Sequence, residues 1–129
     1  MKFSVDKEEK YTVFKLSDEK LDSALAPDLK SEMVTLNAEG TKNLILDMGD
    51  VKYTDSSGLS ALLVGNRLYN EAGGIFIIAN LNDHVEKLIK ISQLDNVLEI
   101  LPTVEEAVDR AFMHELESEF TEGEEGEDA

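Results

Sequence analysis

Residues 43–59 read Asn43-Leu44-Ile45-Leu46-Asp47-Met48-Gly49-Asp50-Val51-Lys52-Tyr53-Thr54-Asp55-Ser56-Ser57-Gly58-Leu59. The first six form a short, nearly continuous apolar run, the pattern of a central strand covered on both faces. Leu59, Leu62, Leu63 and Asn66 then recur at helical spacing, with Ala61 and Gly65 as small packing positions, until Ala72-Gly73-Gly74 stops the helix. Ile75-Phe76-Ile77-Ile78-Ala79 is a second buried strand. A buried strand, a helix and another buried strand in succession imply a parallel pair joined by a right-handed crossover.

The flanks extend this alternation. Upstream, residues 2–6 and 11–16 alternate in strand fashion through Phe3, Val5, Tyr11, Val13, Phe14 and Leu16, with a hairpin turn at Asp6-Lys7-Glu8-Glu9-Lys10. After a connecting segment around Leu21 to Ala26, Pro27 stands where a helix opens, because its fixed φ suits the first turn and its missing N–H is not needed there. Leu25, Leu29, Met33 and Leu36 share one helical face, and Gly40 ends the helix. Downstream, Asn82 or Asp83 caps a helix whose apolar face is Val85, Leu88, Ile89 and Ser92. Val97–Leu101 reads as a short strand. Thr103 and Glu106 have capping-box spacing ahead of a last amphipathic helix through Val104, Ala107, Val108, Ala111 and Phe112. The order is ββαβαβαβα: an α/β single domain with a mostly parallel central sheet, an antiparallel N-terminal hairpin and helices alongside.

Composition narrows the function. The 129 residues make about one domain. Hydrophobic residues are 42% of the chain, aromatics 6%, and Trp is absent, so the core is aliphatic. Twelve bases against 28 acids leave a net charge of −16. That polyanion repels nucleic acid, where affinity comes from neutralising phosphates, and anionic membrane surfaces. Without Cys there is no disulfide framework, thiolate nucleophile or Cys zinc site. His84 and His114 lack metal-ligand spacing. No apolar run approaches the ~20 residues that span a bilayer, and the N-terminus has no apolar signal-peptide region. The expectation is a soluble, cytoplasmic protein that binds no nucleic acid, inserts in no membrane and carries neither metal nor cofactor.

The charge is lopsided. From Glu115 the chain reads ELESEFTEGEEGEDA, with eight acids and no Lys or Arg. The sequence therefore divides into a domain at 1–114 and an acidic tail at 115–129, too poor in apolar residues to offset its ordering entropy and expected to be disordered. Such a tail is either a solvated solubility element or an interaction element. Deleting residues from Gly123 onward is expected to leave the thermal unfolding midpoint within about a degree. A fall of many degrees would mean that the tail packs on the body.

Asp55-Ser56-Ser57-Gly58-Leu59 is the stretch with chemistry in it. Asp and Ser are favoured helix N-caps and Gly permits a close turn, so local structure alone accounts for these residue types. A hydroxyl on the first turn is also exposed, and a phosphate there meets free N–H groups and the positive end of the helix dipole. A hydrolase reading fails on the pattern. The G-x-S-x-G elbow is missing, and neither histidine is an evident base. Gly73-Gly74 closes a helix instead of opening one, so it is no phosphate loop. Asp47 and Asp50 flank a turn, as loop carboxylates or as cation ligands.

From about Tyr11 to Ala111 the chain resembles the STAS domain of bacterial anti-sigma factor antagonists. The resemblance rests on Leu21-Asp22, Ala26-Pro27-Asp28-Leu29, Leu44-Ile45-Leu46-Asp47, Val51 and above all Tyr53-Thr54-Asp55-Ser56-Ser57-Gly58-Leu59. It continues through Ala72-Gly73-Gly74, Val85-Glu86-Lys87-Leu88 and Ser92-Gln93-Leu94. The chain departs from the family at Lys20 and Ser60, where glycine is common, and in its acidic tail. The resemblance implies a non-enzymatic protein that binds an anti-sigma factor, itself a serine kinase, and so frees a sigma factor. It implies phosphorylation at Ser56, with Ser57 as second candidate, and dephosphorylation by a PP2C-type phosphatase. Asp22, Asp55, Ser57, Gly58 and Leu59 become candidate partner contacts, Gly58 through close approach of the partner to the backbone. STAS domains also serve as interaction modules of transport or lipid-trafficking complexes, which is the alternative the resemblance leaves open.

Overall fold

The computed structural model describes residues 1–128, with side chains through Phe120. Strands β1 (Phe3–Lys7) and β2 (Thr12–Leu16) form the expected antiparallel hairpin, with Phe3 opposite Leu16 and Lys7 opposite Thr12. Helix α1 (Ala26–Ala38) follows a very short strand β3 (Lys20–Leu21), and β4 (Asn43–Asp47) returns parallel to β2. After a second very short strand β5 (Tyr53–Thr54) come α2 (Ser56–Glu71), β6 (Ile75–Ala79), α3 (Asp83–Ile91), a 3-10 turn (Leu94–Asn96), β7 (Glu99–Leu101) and α4 (Val104–Asp128). The main sheet has the order β1-β2-β4-β6-β7, antiparallel only at the hairpin.

Both faces of this sheet are covered, which is why Leu44–Leu46 of β4 and all of β6 read as apolar runs instead of alternating. Phe14, Leu16, Leu44, Leu46, Phe76 and Ile78 pack on one side against Leu29, Met33 and Leu36 of α1, Ala61, Leu62 and Tyr69 of α2, and Val85 and Ile89 of α3. Ile45, Ile75, Ile77 and Ala79 face the other way, under Ala107 of α4 with Tyr11, Val13, Val104 and Val108 around them. The largest fully buried aromatics are only Tyr69, Phe14 and Phe76, so the core is mostly aliphatic as composition requires. Each fully buried Leu or Ile contributes about 1.5–3 kcal/mol relative to exposure.

Helices α1 and α2 approach closely because Gly65 has no side chain: a Cβ there would press on Met33 Sδ at 2.7 Å and on the Phe76 ring at 2.9 Å. Nearby, the Tyr69 hydroxyl donates to the Met33 carbonyl at 2.8 Å, and burial pushes its phenol well above the usual tyrosine range. It therefore stays a neutral donor. The caps follow the sequence: Asn82 accepts from the Val85 N–H at 2.9 Å, and Thr103 Oγ1 from the Glu106 N–H at 3.1 Å.

Three features differ from the sequence pattern. Strands β3 and β5 have no counterpart in the sequence pattern, because two residues carry no periodicity. The last strand is shorter than Val97–Leu101, since Leu94–Asn96 takes the chain into a 3-10 turn before it. Helix α4 runs on across Glu115, so the boundary expected at 114/115 is no break in secondary structure. The end of the expected tail, from residue 121, lies outside the residues whose side chains are described.

Candidate functional site

The motif is held by the two smallest strands. In their parallel pairing, Lys20 stands opposite Tyr53 and Leu21 opposite Thr54. The Lys52 and Tyr53 N–H groups donate to the Glu19 carbonyl at 2.7 and 3.1 Å. The buried Thr54 hydroxyl donates to the Leu21 carbonyl at 2.9 Å, and the Asp55 N–H reaches the same oxygen at 3.3 Å. This registration sets Asp22 and Asp55, the residues that leave β3 and β5, beside one another.

Each carboxylate organises backbone. Asp55 is the N-cap of α2, in extended conformation, and its Oδ1 accepts from the Gly58 N–H at 3.0 Å. Its Oδ2 accepts from the Ser23 N–H at 3.2 Å, tying the loop after β3 to the helix start. Asp22 Oδ1 accepts from the Ala24 and Leu25 N–H groups at 3.1 and 3.2 Å, shaping the entry to α1. Removing the cap with Asp55→Ala should cost about 1 kcal/mol, the usual worth of an Asp N-cap. A urea midpoint unchanged within error would mean that the Gly58 and Ser23 N–H groups find other acceptors.

The two hydroxyls sit differently. Ser56 is the first residue of α2 and is exposed, whereas Ser57 is half-buried. Asp55 takes the Gly58 N–H, and the Ser56 and Ser57 N–H groups have no acceptor among the described residues. They point out of the helix N-terminus, where the macrodipole is worth roughly +0.5 charge. No described side chain hydrogen-bonds either hydroxyl. His84 is exposed on α3, and His114 lies 3.1 Å from the Gly73 carbonyl oxygen, engaged elsewhere. Asp47 Oδ1 accepts from the Gly49 N–H and from Asn80 Nδ2, which accounts for it as a turn carboxylate.

Gly58 has a different place from the one its exposed motif suggests. It is buried, and a Cβ on it would collide with Thr54 Oγ1 and with the Leu21 carbonyl oxygen. Its bareness admits the β3–β5 pair against α2, and its contacts are with this chain. Leu59 is half-buried and packs on the main core, leaving only its edge outward. The structure thus brings Asp22, Asp55, Ser56 and Ser57 together at one end of the sheet. Pattern reading missed Thr54 and Ser23. A threonine directly before the motif Asp is the local signal for the former, and Ser23, which engages through its backbone N–H, leaves none.

The profile of the STAS domain matches residues 2–107. Among curated proteins, the anti-sigma-B factor antagonist of Bacillus subtilis is 29% identical over 80 residues, covering 62% of this chain and 72% of that one. A Thermotoga neapolitana protein provisionally named an anti-sigma factor antagonist is 28% identical over 71 residues, 55% of this chain. The match spans 63% of that relative's own length. In three dimensions the anti-sigma factor antagonist SpoIIAA, solved in its unphosphorylated form, superposes with a TM-score of 0.66 at 21% identity, over 84% of this chain and 96% of SpoIIAA. With that fold, the strand pair and the capped helix already in place, a profile match over most of the length makes the chain a member of the STAS domain family.

Proposed function

We propose that this protein is an anti-sigma factor antagonist that works by binding, not by catalysis. In its unmodified form it docks on an anti-sigma factor that is also a serine kinase, and so releases a sigma factor. The kinase phosphorylates Ser56, which ends the interaction, and a PP2C-type phosphatase restores it. All of this takes place in the cytoplasm. No helix among the described residues is long and apolar enough to cross a membrane.

The observation that carries this reading is Ser56 itself. It is an exposed hydroxyl on the first residue of a helix whose two leading N–H groups are free, on a loop pair fixed by Thr54 and Asp55. A phosphate can be added there without opening the core, and it changes the surface charge by about −1.5 to −2. The curated relatives supply the partner class, and SpoIIAA, similar in fold, has been solved in phosphorylated as well as unphosphorylated form. Asp22, Ser57 and the edge of Leu59 surround Ser56 as the contact surface, with Asp55 and Gly58 supporting it from beneath. The test is displacement. Unmodified protein added to anti-sigma/sigma complexes of the source organism should liberate the sigma factor from one of them, as read by native mass spectrometry. Failure against every such complex would contradict the assignment.

A further inference from the structure

A ridge of apolar side chains runs along the outer face of α4, beyond the segment that the STAS profile matches. Phe112, Leu116 and Phe120 recur at i, i+4 and i+8 with Met113 beside them, on one side of the helix. They are 46%, 60%, 68% and 53% exposed. Scattered apolar residues on a surface need no explanation, but a contiguous patch rimmed by polar groups marks an interaction site.

The other side of these same turns is fastened to the body. Asn43 Nδ2 donates to Glu115 Oε1 at 2.6 Å, Lys10 Nζ lies 3.4 Å from Glu119 Oε1, and His114 Nε2 is 3.1 Å from the Gly73 carbonyl oxygen. The Tyr11 ring meets Phe112 edge-on with centroids 5.8 Å apart. These contacts present the ridge outward. Its rim is acidic: Glu105, Asp109 and Glu117 accompany it, and no Lys or Arg follows Arg110, which is itself paired with Glu99 at 2.7 Å.

We propose that this ridge docks a basic amphipathic helix of a partner protein, one with apolar residues at i and i+4 flanked by Lys or Arg. Charge selects the occupant. A second copy would set carboxylates against carboxylates on chains of −16 each, and like-charge juxtaposition is how interfaces reject wrong partners. Helix α4 covers the sheet face opposite to the one that α2 covers, so the ridge and the Ser56 surface can be occupied together. The contact is thus separate from the serine switch.

The probe is a synthetic Leu/Lys peptide with leucines on one helical face, beside a scrambled peptide of equal composition. Fluorescence anisotropy with the full chain, at about 0.15 M salt where distant charges are screened, should show the patterned peptide binding at least about tenfold tighter. Leu116→Ser with Phe120→Ser should abolish that preference. Both residues are exposed, so circular dichroism should show the fold unchanged. Glu117→Lys, which alters no apolar contact, should weaken the patterned peptide several-fold and gives an independent reading if the double variant misfolds. Ser56→Asp should leave peptide binding unaltered. Equal affinity for both peptides would reduce the effect to bulk charge and overturn the proposal. Self-association in sedimentation that the double variant removes would also overturn it, by making the occupant a second copy.

Discussion

Gly58→Ala should destabilise the domain by about 3 kcal/mol, at the upper end of what one inserted methyl group costs in a packed interior. Gly58→Val should do worse and leave little folded protein. The added Cβ meets a backbone carbonyl, that of Leu21, and the hydroxyl of Thr54 that is already bonded to that carbonyl. Neither is the free end of a flexible side chain. Relief requires parting β3 from β5 or lifting the start of α2, and either movement displaces the Asp55 cap. Chemical denaturation reads the effect as a lower midpoint at unchanged slope. Ser60→Ala, exposed two residues further along the helix, is the control and should stay within about 0.5 kcal/mol of the parent. A Gly58→Ala protein as stable as the parent would show that the strand pair is not pinned at this glycine. Loss of partner binding in Gly58 variants consequently reports folding first, whereas Leu59→Ala, at the half-buried edge, reports the contact surface more directly.

The second large effect is on binding. Ser56→Asp, or phosphorylation of Ser56, should weaken the partner complex by roughly a hundredfold, while Ser56→Ala should bind at least as well as the unmodified chain. The sign comes from the site. Within the free domain, a negative group on the first helical residue meets the unpaired Ser56 and Ser57 N–H groups and should stabilise by about 0.3–1 kcal/mol. At an interface the same charge must lose its water against a surface shaped for a neutral hydroxyl, beside the carboxylates of Asp22 and Asp55. A penalty of about 3 kcal/mol suffices, because every 1.4 kcal/mol is tenfold in affinity. Calorimetry of the two variants with the cognate anti-sigma factor, paired with their unfolding midpoints, separates this from misfolding. Equal affinity of Ser56→Ala and Ser56→Asp would remove charge at Ser56 from the mechanism.

What could be read from the sequence was what repeats. Ile75–Ala79 is apolar throughout, and Asn43–Asp47 is apolar in its three central residues, because both faces are covered, and that near-continuous pattern marks them as central strands. The stripe of Leu29, Met33 and Leu36 marked α1, with Pro27 at its first turn. The strand pair that holds the site was invisible. Lys20–Leu21 and Tyr53–Thr54 are each two residues long, and their pairing is set by a threonine hydroxyl and a glycine without a Cβ instead of by any periodicity. Residue type and position marked two hydroxyls, Ser56 and Ser57, and only the family resemblance put Ser56 first; the structure has Ser56 exposed and Ser57 half-buried. Gly58 could not be placed the same way, because exposure of a motif says nothing about which of its backbone atoms another strand will cover. At the far end, charge density alone separated Glu115 onward from the domain. The helix continues there, and Glu115 and Glu119 meet Asn43 and Lys10 on the body, contacts more than 70 residues away in sequence that no local pattern announces.

The most direct test of the switch is phosphosite mapping. Full-length protein is incubated with ATP and each anti-sigma factor kinase of the source organism, then weighed intact and digested for site assignment. One phosphate on Ser56 from the kinase whose sigma factor the protein releases is the expected result. Phosphate only on the half-buried Ser57 would move the address by one residue, and no phosphate on either serine from any of these kinases would contradict the account.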